Sequence, residues 1–125
     1  MAGVTLDAGA LIAIERGGPR MQALIDEAVA AGADVAVPAA VLGQAWRGTQ
    51  RQALLARFLR LAIVDVVSLD EPAARTAGVL CGRAATDDIV DASVVVCARL
   101  RRHSVVTSDR SDLSRLDPDL RLLAP

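Results

Sequence analysis

Five aspartates lie at the ends of apolar segments, where their carboxylates can converge on one site. Asp7 directly follows the first apolar segment, and Asp109 follows a late one with a single serine between them. Asp88 and Asp91 open a long apolar segment, and their spacing of three places them on one face of a helical turn. Asp112 lies three residues beyond Asp109, so the two can share a short turn or helix start.

Each of these aspartates also has a simpler interpretation, because aspartate is a preferred helix N-cap and turn residue. Taken singly, we expect each to cap a helix or a turn. Taken together, carboxylates that converge on one edge repel one another, and a bound cation relieves that repulsion. Oxygen ligands without a nearby His or Cys favour Mg²⁺ or Mn²⁺ over Zn²⁺. The set therefore predicts a Mg²⁺ or Mn²⁺ site.

The elements that would position these aspartates alternate between short strands and helices. Apolar, β-branched runs predict strands at 4–6, 35–37, 63–69 and 105–107, with a last edge strand at 120–123. Helical spacing predicts helices at 8–16, 20–31, 39–47, 50–61, 71–83 and 88–102, and a short one within 109–116. This order predicts an α/β fold, a three-layer α/β/α sandwich with a central parallel sheet, formed by residues 1–125 as a single domain. Strands of a parallel sheet end at one edge, so we expect Asp7 and Asp109 to project there together.

The composition excludes several classes of protein. The chain has 14 basic and 15 acidic residues, a net charge of -1, and is 53% hydrophobic, which excludes a disordered chain and a strongly basic nucleic-acid coat. Every basic residue is arginine, so Schiff-base chemistry and a phosphate-binding lysine have no candidate. The same absence argues against a receiver-like phosphoryl acceptor. Gly9 stands where a DxD phosphatase would have its second aspartate.

The two cysteines and the single histidine are expected to have structural and not catalytic roles. Cys81 and Cys97 lie in apolar helical segments without a CxxC spacing, so we expect buried free thiols. His103 ends the long apolar helix, where we expect it to face solvent or interact with the helix dipole. The sequence shows no apolar run of about 18 residues and no signal-peptide pattern at its start, which predicts a cytoplasmic protein with no membrane contact.

Four segments of the chain resemble PIN-domain ribonucleases, in particular the VapC-like toxins of type II toxin–antitoxin systems. They are 6–13, 37–48, 86–92 and 105–113, in the order and spacing of that family. The abundance of Ala and Arg without Lys also resembles actinobacterial composition. The resemblance implies a PIN-like fold and a Mg²⁺- or Mn²⁺-dependent endoribonuclease that hydrolyses RNA phosphodiester bonds. It also implies a cognate antitoxin as partner and a homodimer.

The resemblance assigns roles to individual residues. It implies that Asp7, Asp91 and Asp109 hold the metal, with Asp88 and Asp112 at positions that are often acidic. The family usually has a Glu in the helix after the second strand, and Gln44 stands there, which can accept a hydrogen bond but brings no charge. Gln44 favours an alternative, a catalytically weak PIN fold that binds RNA or protein. Two arginines beside the motifs, Arg47 and Arg110, are expected either to contact phosphates or to be solvated surface residues.

Overall fold

The computed structural model describes residues 2–125 and contains a five-stranded parallel sheet. Its strands are β1 (Val4–Leu6), β2 (Val35–Pro38), β3 (Val64–Val67), β4 (Ser104–Val106) and β5 (Leu122–Leu123). They lie in the spatial order β3-β2-β1-β4-β5, and every neighbouring pair is parallel. The first strand of the chain is therefore the centre of the sheet.

Helices cover both faces of this sheet. They are α1 (Ala8–Glu15), α2 (Pro19–Ala31), α3 (Ala39–Ala45), α4 (Ala53–Leu59), α5 (Glu71–Ala84), α6 (Ile89–Arg101) and α7 (Arg110–Leu116), with a 3₁₀ turn at Gln50–Gln52. Helices α1, α2 and α4 form one layer, and α5, α6 and α7 form the other. The connection from β1 to β2 and the one from β3 to β4 run in opposite directions along the sheet, and right-handed crossovers then lie on opposite faces. The predicted three-layer sandwich is confirmed.

Buried β-branched side chains explain why these short strands form. The strands β1 and β2 are buried along their whole length, and Val105 and Val106 of β4 are fully buried. Helix α6 is buried at every position from Ala92 to Ala98, as its almost uniformly apolar sequence predicts. Cys81 and Cys97 are buried free thiols, as expected.

The region between β2 and β3 differs from the sequence prediction. Helix α3 ends at Ala45 instead of 47, because Trp46 adopts an extended backbone conformation. The single helix expected at 50–61 is a 3₁₀ turn followed by α4. The side chain of Gln52 bonds to the amide of Arg47 and the carbonyl of Ala45, which stabilises the early end of α3.

The expectation that His103 faces solvent is wrong. His103 follows α6 and is buried, and its Nδ1 lies 3.1 Å from the hydroxyl of Thr5 on β1. Burial and the nearby charge of Arg101 lower the pKa of His103, so the neutral imidazole is favoured. A Cβ at Gly3 would collide with this ring, so the glycine makes room for it. Within residues 2–125, no helix is long and apolar enough to cross a membrane.

Candidate metal centre

The two central strands end side by side. Leu6 of β1 pairs with Val106 of β4, and the amide of Asp7 donates to the carbonyl of Val106 at 3.1 Å. Strand β1 leads through α1 and α2 toward β2, whereas β4 leads through α7 toward β5 on the other side. In parallel α/β folds, such a reversal of strand order opens a crevice at the carboxyl edge, where ligands bind. Asp7 and Asp109 both follow strands that end at this edge.

Three carboxylates meet close to this edge. Asp91 lies in the first turn of α6, Asp109 is the N-cap of α7, and Asp112 lies in the first turn of α7. Each offers an oxygen, and these oxygens all lie within 4.8 Å of one another. Two ligands on opposite sides of a Mg²⁺ ion are about 4 Å apart, so this all-oxygen set fits a hard divalent cation after small adjustments. We refer to these three residues as the acidic group.

The acidic group is electrostatically strained without a cation. Partial burial raises the pKa of Asp91 to about 7, with further contributions from the charge and hydrogen bond of Asp88 and the charges of Asp109 and Asp112. A hydrogen bond with Asp109 and the charge of that residue raise the pKa of Asp112. A bound cation would favour the ionised forms and oppose these shifts.

Local hydrogen bonds hold the acidic group in place. The Oδ1 of Asp88 accepts from the amide of Asp91 at 3.0 Å, so the capping interpretation of Asp88 is confirmed. The hydroxyl of Thr107 accepts from the amide of Asp109 at 2.8 Å and shapes the turn before α7. A cavity of about 100 Å³ adjoins the group, lined by Thr86, Asp88, Asp91, Asp112, Arg115 and Leu116. Asp88 thus contributes to the site as an exposed cap that positions Asp91.

Asp7 lies outside the acidic group but at the same edge of the sheet. Its side chain is 7% exposed, and its Oδ1 accepts from the amide of Ala10 at 3.0 Å, which caps α1. Within residues 2–125, this is the one side-chain hydrogen bond of Asp7. A Cβ at Gly9 would collide with the hydroxyl of Ser108, so a glycine is needed where α1 approaches the loop after β4. Sequence patterns alone do not reveal this packing role of Gly9, which depends on the approach of α1 to the loop after β4.

The remaining candidate residues surround the edge. Gln44 is exposed on α3, and within residues 2–125 its side chain has no hydrogen-bond partner. Arg47 follows α3, is exposed, and its guanidinium donates to the carbonyl of Trp46 at 2.8 Å. Arg110 is exposed at the first position of α7, next to Asp109. The structure does not bring these three side chains into contact with the acidic group.

The fold and the site together define a parallel α/β domain with carboxylates at the switch in strand order. Residues 4–117 match the family model of the PIN domain, and the chain belongs to the PIN domain family. No curated protein sequence matches the chain significantly.

Solved structures share the fold over almost the whole chain. The chain is similar to a structure of VapBC2 from Rickettsia felis bound to a DNA fragment from its promoter, with 16% identity, a TM-score of 0.71 and coverage of 98% of both chains. It is similar to VapC20 of Mycobacterium tuberculosis, described as a sarcin–ricin loop cleaving toxin, with 17% identity, a TM-score of 0.66 and coverage of 98% and 99%. A third similar structure is FitAcB from Neisseria gonorrhoeae, with 20% identity, a TM-score of 0.66 and coverage of 98% and 97%. At these identities the likeness establishes the fold.

Proposed function

We propose that this single-domain protein is a Mg²⁺- or Mn²⁺-dependent endoribonuclease, the toxin of a VapBC-type toxin–antitoxin pair. The observation that carries the proposal is the acidic group at the carboxyl edge of a PIN domain. The description of the similar VapC20 as an RNA-loop-cleaving toxin supports RNA as the substrate class. The similar VapBC2 structure supports an antitoxin as partner. A homodimer completes the proposed assembly.

In this proposal, Asp7, Asp91 and Asp109 hold the cation, and Asp112 adds a further carboxylate oxygen beside them. When bound, such a cation supplies Lewis-acid chemistry: it offsets negative charge on the phosphodiester and increases the acidity of the attacking water. Asp88 keeps the first turn of α6, and with it Asp91, in position through the bond to the Asp91 amide. Arg47 and Arg110 flank the edge and would bind phosphates of the RNA chain.

A second candidate function is RNA or protein binding with little or no cleavage. The observation that favours it is Gln44, an exposed neutral residue on α3 at the position where the family resemblance implies a glutamate. A missing carboxylate weakens cation binding, because the amide oxygen of glutamine carries no formal charge. The two candidates differ in one measurable property, the Mn²⁺-dependent cleavage of RNA.

Replacing Asp7 tests the proposal, because the chain contains a matched control. Asp7 and Asp70 each cap a helix by accepting from an amide at 3.0 Å, but only Asp7 adjoins the central strand of the sheet. Both Asp7→Ala and Asp70→Ala should therefore lose about 1 kcal/mol of capping energy. We expect wild type and Asp70→Ala to cut a structured RNA with Mn²⁺ but not with EDTA. We expect Asp7→Ala to cut at least about 100-fold more slowly.

Cleavage by Asp7→Ala at the wild-type rate would contradict the assignment of Asp7 to the metal site. If wild type bound the RNA but failed to cut it with Mn²⁺, the second candidate function would replace the first. Gel analysis of the RNA products separates these results, and urea denaturation shows whether the two alanine variants remain equally folded.

A further inference from the structure

The chain between Asp34 and Asp65 contains no acidic residue, although the whole chain carries a net charge of -1. Four exposed arginines lie in this acid-free segment: Arg47, Arg51, Arg57 and Arg60. None of them forms an ion pair with another residue of the described range 2–125. Arg57 lines a cavity together with Asp26, but within residues 2–125 no ion pair neutralises Arg47 or Arg51, which favours an anionic ligand beside these two.

The same segment contains the chain's single tryptophan, Trp46. The other aromatic residue, Phe58, is buried in the core, whereas Trp46 is 39% exposed. Trp46 is therefore the one exposed aromatic ring of the described chain. It immediately precedes Arg47, so a flat apolar surface and a cationic group occur side by side.

A buried side chain fixes the shape of the loop that carries these two residues. Gln52 is only 3% exposed, and its Oε1 accepts from the amides of Arg47 at 2.7 Å and Gly48 at 3.0 Å. Its Nε2 donates to the carbonyl of Ala45 at 2.7 Å. Gly48 has a φ of 70°, a left-handed conformation that glycine adopts without strain. The loop is thus pre-organised, which lowers the entropic cost of binding a ligand.

Helix α3 links the carboxyl edge to this loop, and at 1.5 Å per residue its seven residues span about 10 Å. Although α1 and α6 belong to opposite layers, α3 packs against both of them. It starts directly at the end of β2 and therefore lies across the edge of the sheet. The helices that it contacts begin at the candidate site, α1 with Asp7 as its cap and α6 with Asp91 in its first turn.

We propose that Trp46 stacks on an unpaired RNA base and that Arg47 and Arg51 bind the phosphates that flank it. Proteins recognise unpaired RNA by stacking bases on aromatic rings while arginines neutralise the backbone. The unneutralised arginines favour a polyanion over an apolar protein partner as the occupant of this surface. The inference rests on the proposed function, because it assigns a binding site for the strand to be cut to the loop that α3 connects to that edge.

Intrinsic fluorescence tests this proposal directly. The chain has one tryptophan and no tyrosine, so its fluorescence reports on Trp46. We expect a single-stranded RNA of about ten nucleotides to quench the fluorescence of the wild-type protein in EDTA, where cleavage is excluded. A fully paired duplex of the same sequence should quench it much less, because its bases are already stacked.

Variants then separate stacking from structural effects. By RNA filter binding in EDTA, Trp46→Ala should bind the single strand about 10- to 100-fold more weakly, whereas Trp46→Phe should retain most of the affinity. Arg51→Gln should reduce the dependence of affinity on salt concentration. Val79→Ala, which shortens an exposed apolar residue in the opposite helical layer, is the control and should bind as wild type does.

Unchanged fluorescence on adding the single strand, or equal affinities of Trp46→Ala and wild type, would overturn the inference. Mn²⁺-dependent cleavage, measured separately, identifies which proposal has failed. Wild type that cuts RNA while Trp46→Ala binds normally disproves only the stacking site. Wild type that binds through Trp46 but never cuts disproves only the nuclease.

Discussion

Among single residues, Asp91 shows most clearly how the acidic group lowers the free energy of unfolding of the metal-free protein. Its half-buried carboxyl has a pKa of about 7, well above the value of 3.8 in an unfolded chain. Between about pH 4 and pH 7 the native state therefore binds more protons than the unfolded state, so the free energy of unfolding falls as pH rises. The carboxylates that would hold a cation thus weaken the metal-free protein at neutral pH.

We expect Asp91→Asn to raise the free energy of unfolding of the metal-free protein at pH 8. The gain should be about 1–2 kcal/mol, because burial and the neighbouring carboxylates both disfavour the charged Asp91, and solvent screens part of this cost at a half-buried residue. At pH 4, where Asp91 is protonated in the native state, the gain should largely vanish. Urea denaturation in EDTA at pH 4, 6 and 8 measures both values.

Asp87→Asn is the matched control, since Asp87 is an exposed neighbour outside the acidic group and should give no gain. The buried His103 titrates in both proteins, so its effect cancels in the difference between variant and wild type. An equal gain at all three pH values would show that ionisation of Asp91 is not the cause.

The sequence predicted the aspartates of the site better than it predicted the other buried polar residues. Asp7 and Asp109 follow apolar strands, and their shared edge follows from the parallel arrangement alone. His103 and Gln52 are buried by loops whose paths depend on tertiary contacts, and hydrophobic periodicity carries no information on such contacts. Sequence reasoning therefore missed Gln52, although it organises the loop beside Gln44.

Among the secondary-structure elements, helices α2 and α5 are both followed by a left-handed residue, but the residue is glycine in one case and alanine in the other. These residues are Gly32 and Ala85, with φ of 64° and 53°. Glycine adopts this conformation freely, whereas the Cβ of alanine makes it unfavourable by about 1 kcal/mol. Helical periodicity predicted these helices at 20–31 and 71–83, and the structure ends them at Ala31 and Ala84.

Reciprocal substitutions at these two positions should change stability in opposite directions. We expect Ala85→Gly to raise the free energy of unfolding by about 0.5 kcal/mol, since relief of strain exceeds the added freedom of the unfolded chain. Gly32→Ala should lower it by about 1 kcal/mol, although a Cβ there meets no atom within 4 Å. Urea denaturation of the two variants measures both effects, and a change of the same sign in both would refute this explanation.

For the whole molecule, the order of the strands decides which parts of the chain are indispensable. Strand β4 lies between β1 and β5, and its Val105 and Val106 are fully buried. Strand β5 has two residues at the edge of the sheet, and its leucines are only partly buried. The alternation of strands and helices predicted this architecture, but the position of β1 at the centre depends on long-range pairing that no local pattern reveals.

Two truncations test this difference between β4 and β5. A chain that ends after residue 117 loses β5 and should remain folded, with a free energy of unfolding lower by about 2–4 kcal/mol for its lost leucines. A chain that ends after residue 103 loses β4, leaves β1 as an exposed edge and should not fold. Circular dichroism during urea titration distinguishes them, and a cooperative transition of the shorter chain would contradict the central role of β4.

The central pairing of β1 with β4 also determines when the protein becomes complete during its own synthesis. Val4 pairs with Ser104, so β1 cannot complete its pairing until β4 has been translated. At about 5–20 residues per second, the interval between the two strands is on the order of 5–20 s. Asp7 is translated early, whereas Asp91, Asp109 and Asp112 come from the final third of the chain. A fragment that ends before Asp91 therefore lacks the acidic group, and only a chain that extends past Asp112 can assemble this group beside Asp7.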